Sequence, residues 1–380
     1  YYTRAEDLYS VHGERGVDPT EPPATGPYPF PPVAPEPRIA QLRAALEDIG
    51  LRPFALPLAL RLPGDRLGVR APVRLARFDG FPDPTGTKAD AEVAALQHGR
   101  VALRTGALVE RLLTGVRGDH VTGVVVRLPG GGRETLHADV VLLAAGAVNS
   151  AAVMLRSIGD AHPNGLGNAH DQVGRGYMTH HNGALIAITR TPNGLTFQKT
   201  LGLTDFYAEL GTIQMMGKTD PADLAGLIAD ALPGRDPTDA ARCSLDFWLT
   251  AEDLPHPENR VTLAPDGRIR IMYRPTNLAA YDGLERALRD ALDRVAEPDD
   301  PFAYVGYRLG VSGVSHQCGT LRMGADPRTS VVDPDGRVHG VDNLFVCDAS
   351  VFPSSGAVNP ALTIMANALR VADHVARGAS

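Results

Sequence analysis

His316 lies in the run His316-Gln-Cys-Gly-Thr320-Leu-Arg-Met-Gly324, a Gly-, Ser- and Thr-rich loop with no helical apolar face to bury it. An imidazole, with an intrinsic pKa of about 6.5, can take up a proton near neutrality. Asn359 precedes Pro360, and this pair predicts a helix start with Asn at the N-cap and Pro at N1. The N-terminus of that helix carries partial positive charge and free N–H groups, so it can stabilise an anion placed before it. Asp348-Ala349-Ser350 follows the apolar run Leu344 to Cys347. That is the position past a buried strand where α/β folds place ligands. Each residue also has a plain reading on its own: Asn359 as a cap, His316 as a structural or surface histidine, Cys318 and Cys347 as small core residues.

The elements that must position these groups are legible in part. Residues 1–37 are rich in Pro and Gly and read as an extended, wrapping segment. A helix follows, with Pro37 in its first turn, Ile39, Leu42, Leu46 and Ile49 on one face, and Gly50 at its end. Residues 51–86 are irregular, with turn signals at Asp79-Gly80 and Pro82-Asp83-Pro84. Short strands are predicted at Val101 to Arg104, Leu108 to Leu113, Val121 to Leu128 and Glu134 to His137. The continuous apolar run from Asp139 to Ala144 predicts a strand buried on both faces. Gly146 ends it, and a helix is expected over Asn149 to Ile158.

Further strands are expected at Ala184 to Thr189, Cys243 to Leu249, Val261 to Leu263 and Ile269 to Tyr273, the last two joined by an Asp266-Gly267 turn. Leu284, Leu288 and Leu292 mark an amphipathic helix. In the last helix, from Pro360 to about Ala376, the expected buried stripe is Leu362, Met365, Ala366 and Leu369. No internal repeat is present.

Composition narrows the function classes. Hydrophobic residues make up 43% and charged residues 21% of 380, which is ordinary for a globular chain. The longest apolar runs fall far short of the ~20 residues that cross a bilayer, so no membrane span is expected. A net charge of −7 argues against a nucleic-acid footprint. Cys243, Cys318 and Cys347 make no disulfide framework and no CxxC pair, which predicts a reducing compartment, the cytoplasm. Only three of the 37 basic residues are lysine: Lys88, Lys199 and Lys218. Lys88, in Thr87-Lys-Ala-Asp90, is read as an ion-pair residue and not a Schiff-base amine. The chain starts Tyr1-Tyr2-Thr3, without Met or a signal peptide, which reads as a processed chain or a fragment.

Together, the His316–Gly324 loop, the stretch from Val332 to Ser350 and the Gly356–Thr363 segment resemble the C-terminal part of the glucose–methanol–choline (GMC) family of FAD-dependent oxidoreductases. The resemblance extends to Ala138–Ser150 and to Gln172-Val-Gly174-Arg-Gly-Tyr-Met178. It is strongest to the bacterial sugar-oxidising, pyranose-oxidase-like branch. The resemblance implies a mixed α/β (α+β) fold. An incomplete Rossmann-like FAD domain would hold 1–181 and 316–380, and a substrate domain with a mainly antiparallel sheet would hold 182–315.

It further implies FAD-dependent oxidation of an alcohol, a sugar or polyol, by proton abstraction and hydride transfer to flavin. The electron acceptor, whether oxygen, quinone or another, stays open. His316 would be the base and Asn359 would orient the substrate oxygen. Val109, Ala145, Gly146, Asp348, Ala349, Asn359, Pro360 and Thr363 would meet the cofactor. The family's G-x-G-x-x-G turn, which cradles the diphosphate, is absent; Gly165-Leu-Gly167-Asn-Ala-His170 fails at its last glycine. The chain therefore reads as a family member without its N-terminal segment, whose Asp139–Ala144 strand would lose neighbours. The alternatives are an inactive truncated member or non-catalytic partner module, and a metal hydrolase built on His162, His170, His180 and His181. As neighbours on a strand, His180 and His181 would point to opposite faces.

Overall fold

The computed structural model describes residues 1–61, 86–87 and 93–378. Lys88 and the turn signals at 79–84 lie outside the described residues. The chain opens with helix α1 (Tyr2–Leu8), strand β1 (Val11–His12), helix α2 (Pro37–Asp48) and the short strands β2 (Phe54–Ala55), β3 (Leu58–Arg61) and β4 (Gly86–Thr87). A meander of β5 (Leu108–Thr114), β6 (Val121–Arg127) and β7 (Arg133–Leu136) leads to β8 (Val141–Leu143) and α3 (Gly146–Arg156). Next come β9 (His181–Ile188), β10 (Leu201–Leu203), β11 (Thr212–Met215), α4 (Pro221–Ile228) and α5 (Pro237–Cys243). They are followed by β12 (Ser244–Ala251), β13 (Arg260–Leu263), β14 (Ile269–Met272), α6 (Leu278–Val295) and β15 (Ala303–Arg308). Strand β16 (Leu344–Val346) and helix α7 (Ala361–Gly378) end the chain.

The largest sheet is antiparallel throughout, in the order β15-β9-β12-β11-β10-β2. Alternation along each strand divides its side chains between two faces. Leu185, Ala187, Ile213, Met215, Leu245, Phe247 and Leu249 pack under α2 and α6, against Ile39, Leu42, Leu46, Leu284, Leu288 and Leu292. Burying each of the Leu, Ile, Met and Phe side chains contributes about 1.5–3 kcal/mol. On the other face, Ile186, Ile188 and Val305 meet α4 and α5 through Leu224, Ile228, Ala240 and Ala241. The rest of that second face carries Gln214, Trp248 and Tyr307, which line a cavity. The sheet takes β2 and the cover of α2 from outside residues 182–315, while Val261 and Ile269 of the β13–β14 hairpin join the other core.

That other core gathers Leu112, Val121, Leu143, Ala151, Met154, Tyr177, Leu321, Val332, Leu344 and Val346. At its centre β8 and β16 run parallel, Val141 beside Leu344 and Leu143 beside Val346. Both strands end where the sequence places its candidate residues: β8 runs into Ala145-Gly146, and β16 into Asp348-Ala349.

Three expectations change. Val101 to Arg104 is irregular, because the strand ladder begins only at Leu108. Strand β8 is buried on one face only; Leu142 is 49% exposed, while Leu143 packs against Ala151, Val153 and Met154 of α3. In α7 only Ala366 and Val371 are buried, so Leu362, Met365 and Leu369 form a half-covered stripe. The Asp266-Gly267 turn closes the β13–β14 hairpin as expected, with Gly267 at φ 80°.

Candidate active site

A short antiparallel bridge builds the centre of the site. Met178 N–H donates to Cys318 O, and Cys318 N–H donates to Met178 O, each at 3.0 Å. Two residues after Met178 and two before Cys318, in the same antiparallel register, stand His180 and His316. Their Nδ1 atoms are 2.9 Å apart and their rings meet edge to face, with centroids 4.8 Å apart. His180 Nε2 is 3.0 Å from Ser355 O. A carbonyl only accepts, so His180 Nε2 carries the proton. In a neutral ring His180 Nδ1 then accepts. It takes the Nδ1–H of His316, and His316 Nε2 is left with a free lone pair.

The surroundings keep both rings neutral. Burial pushes the His316 imidazole down to about 4, with His180 beside it adding to the effect. Burial also lowers His180, against the opposing pull of its bond to Ser355. His181 turns the other way and lies 3.3 Å from Asp253 Oδ1. Burial opposes ionisation of Asp253, but His181, Thr276 and the Thr179 N–H outweigh it and hold the carboxyl below its usual range. The two neighbouring histidines thus serve different partners.

Asn359 is exposed and lines the same cavity as His316. Gln214 Nε2 donates to Asn359 Oδ1 at 2.8 Å, so the Asn359 amide hydrogens are not used in that bond, and both residues line the cavity. This corrects the expected cap. The first helical bond of α7 runs from Ile364 N to Pro360 O at 3.0 Å, so Pro360 is the N-cap and Asn359 stands one residue outside the helix. Its side chain is bonded to Gln214. The cavity, of about 740 Å3, is lined by His316, Asn359, Gln214, Trp248, Tyr307, Met216, Lys199 and Lys218 among others. Apart from His316 and Asn359, none of these was singled out from the sequence. The one available signal was the scarcity of lysine, since two of the three lysines are here.

The expected cofactor residues fall into two groups. Asp348 receives Gly146 N–H at 2.8 Å, Ser150 Oγ–H at 2.5 Å and Ser350 N–H at 2.8 Å, which ties the end of β16 to the start of α3. Ala145 N–H is bonded to Ser150 Oγ at 3.0 Å. Gly146 has φ 79°, and a Cβ on it would meet nothing within 4 Å, so the backbone there borders open space. Ala349 lies beside Met178 and Cys318, with Phe352 and Ile364 at the edge, and so links this junction to the histidine pair. Val109, on β5, is half-buried against the same core. Thr363 Oγ1 is 3.1 Å from Tyr2 of α1, on an exposed turn.

The residues present suit an FAD ring or ribityl chain: an open backbone at Gly146, the small Ala349 beside Met178 and Cys318, and the helix that starts after Asn359. The amides of Ala145 and Gly146 are already engaged, so they are not donors for a diphosphate.

The histidines of the metal reading are dispersed. His162 is bonded to Gly118 O at 2.9 Å, and His180 to His316. Among the described residues no group of three His, Cys, Asp or Glu is arranged to hold a metal. Among them, too, no helix is long and apolar enough to cross a membrane.

Comparison with known proteins agrees with the architecture. Models of the GMC oxidoreductase family match residues 78–182 and 231–368. The chain is 33% identical over 376 residues to 6'''-hydroxyparomomycin C oxidase of Streptomyces lividus, covering 90% of this chain and 65% of that protein. It is 33% identical over 357 residues to paromamine 6'-oxidase of Streptomyces fradiae, covering 86% of this chain and 62% of that protein. The chain thus spans somewhat under two thirds of the length of these relatives. Pyridoxine 4-oxidase from Mesorbium loti superposes with a TM-score of 0.60 at 22% identity, over 89% of this chain and 69% of that one. With both family models matched in order and the fold shared, the chain belongs to the GMC oxidoreductase family.

Proposed function

We propose that this chain carries the substrate-oxidising half of an FAD-dependent alcohol oxidoreductase acting on a sugar or polyol. The observation that carries the reading is the chain of hydrogen bonds His316–His180–Ser355, which leaves His316 Nε2 unprotonated at the wall of a cavity that also holds Asn359. A hydroxyl placed there gives its proton to His316 Nε2. His316 Nδ1–H stays on His180, whose own Nε2–H stays on Ser355 O, so the charge gained is spread along the chain. The Asn359 amide donates to the substrate oxygen and fixes which carbon faces the cofactor. Bound FAD supplies the acceptor for the hydride that leaves the carbinol carbon. Polar groups from several strands converge on the cavity, as a polyhydroxylated substrate requires.

The test is anaerobic stopped-flow bleaching of the FAD-loaded protein by a panel of sugars and polyols. Reduction by at least one of them, slowed about 10²–10⁴-fold in His316→Ala, is the expected result. Absence of bleaching across the panel, or an unaltered rate in His316→Ala, overturns the reading.

A further inference from the structure

The two lysines of the cavity differ in one respect. Lys218 Nζ is held by Ala241 O at 3.0 Å, by Ser244 O and Oγ, and by Asn193 Oδ1 at 3.4 Å. Its donors are spent on the protein. Lys199 Nζ has no hydrogen-bond or ion-pair partner among the described residues, although it lines the same cavity. Burial alone lowers its pKa, with no carboxylate to raise it. Asp220 and Asp223 border the cavity from exposed positions at the start of α4, where the Asp220 carboxylate accepts from Ala222 N–H. A sheltered ammonium without a partner is unfavourable, and its three donors call for acceptors from elsewhere.

We infer that Lys199 is the anchor for an anionic group of the substrate, a carboxylate or phosphate carried on the hydroxylated skeleton whose alcohol reaches His316. The inference rests on the reading of this cavity as the substrate site and narrows it to acidic sugars and hydroxy acids. A compact ammonium pairs with such a group as a point charge, and its partial burial at the cavity wall strengthens the pairing.

Trp248, the only tryptophan in the chain, lines the same cavity and reports binding without turnover. Titration of its fluorescence with D-glucuronate and with D-glucose compares an anionic and a neutral ligand of the same size. D-Glucuronate should bind at least tenfold more tightly. Lys199→Met should remove that preference, and Lys199→Arg should keep most of it. Lys199→Met should also leave the melting temperature unchanged or raised, since it removes a half-buried charge with no partner among the described residues. Equal affinity for the two sugars, or a preference that survives in Lys199→Met, overturns the inference. So does a lower melting temperature in Lys199→Met with the sugar preference intact, which marks Lys199 as structural. Lys199-dependent binding of D-glucuronate supports it even if no compound reduces the flavin; in that event it is the alcohol-oxidation reading that fails.

Discussion

His180 stands directly opposite His316 in the register set by the Met178–Cys318 bridge, with the two Nδ1 atoms 2.9 Å apart. Only one of two such nitrogens can carry the shared proton. The Ser355 carbonyl decides which, because it requires the other His180 nitrogen to be protonated. A backbone oxygen therefore sets the tautomer of the proposed base through an intervening ring.

His180 is accordingly a positioning residue. His180→Phe keeps a ring in the pocket but offers no acceptor, so His316 is free to adopt either tautomer. Turnover should fall by roughly tenfold, the value of about one lost hydrogen bond, with KM little changed. His180→Gln, whose amide oxygen can accept, should recover part of the loss. If His180→Phe changes KM and melting temperature but not kcat, the pair is only packing.

The pH dependence follows from the buried rings. His316 titrates at about 4, pushed down by burial and by His180, so its proton-accepting form persists well below pH 6.5. The acid limb of kcat/KM should therefore lie near pH 4, not near the ordinary histidine value. Stability has the same sign. In the unfolded chain both rings take up protons near 6.5, whereas in the folded chain both are held lower. Their contribution is full above about pH 6.5 and is lost as pH falls from there toward 4. Urea midpoints across pH 4–7 should decline toward acid, and His316→Phe should flatten that decline.

The sequence and the structure agree most closely where local chemistry decides. Gly146 at a strand–helix junction, the Asp266-Gly267 turn and the Leu284-Leu288-Leu292 stripe each carry their own signal. His316 and Asn359 were legible as a resemblance to family motifs, and the structure brings both to one cavity. The pairing of His180 with His316 depends on a register between segments far apart in the chain, which no local pattern encodes. Gln214 and Trp248 were hidden for another reason. Their strands do alternate, Ile213 and Met215 against Gln214, and Leu245, Phe247 and Leu249 against Asp246, Trp248 and Thr250, but alternation separates two faces without saying which of them borders a cavity. The Asn359 cap failed by one residue, because Pro suits the first positions of a helix and its own carbonyl here accepts the first helical bond.

That correction changes what Asn359 substitutions should do. Asn359→Asp keeps an acceptor for Gln214 Nε2 but replaces the amide donors with acceptors. The melting temperature should stay within about 2 °C, since no helix cap is lost, a cap being worth about 1 kcal/mol. The rate of flavin reduction should fall by about 10²-fold, the scale for a misplaced polar group at the reacting atoms. A marked drop in melting temperature with normal reduction would restore Asn359 as a cap.

Gly174 tests the frame that delivers His180 to the site. It has φ 86°, and a Cβ there would lie 2.2 Å from Val261 O. The neighbouring backbone is pinned on both sides: Gly174 N–H donates to Thr320 O at 2.8 Å, and Val261 N–H donates to Gly174 O at 2.9 Å. Neither partner can yield without breaking a bond, because the obstacle is a carbonyl and not a flexible side chain. Left-handed backbone costs a non-glycine residue about 1–2 kcal/mol, and overpacking adds about 1–3. Gly174→Ala should therefore lose roughly 2–5 kcal/mol in urea unfolding. The strain also falls on the segment that carries Met178 and His180, so turnover should drop in the fraction that remains folded. Gly194, with φ 66° but open space around it, is the control: Gly194→Ala should lose only the backbone part, about 1–2 kcal/mol. Equal losses in the two variants would show that the contact between Gly174 and Val261 does not constrain the loop.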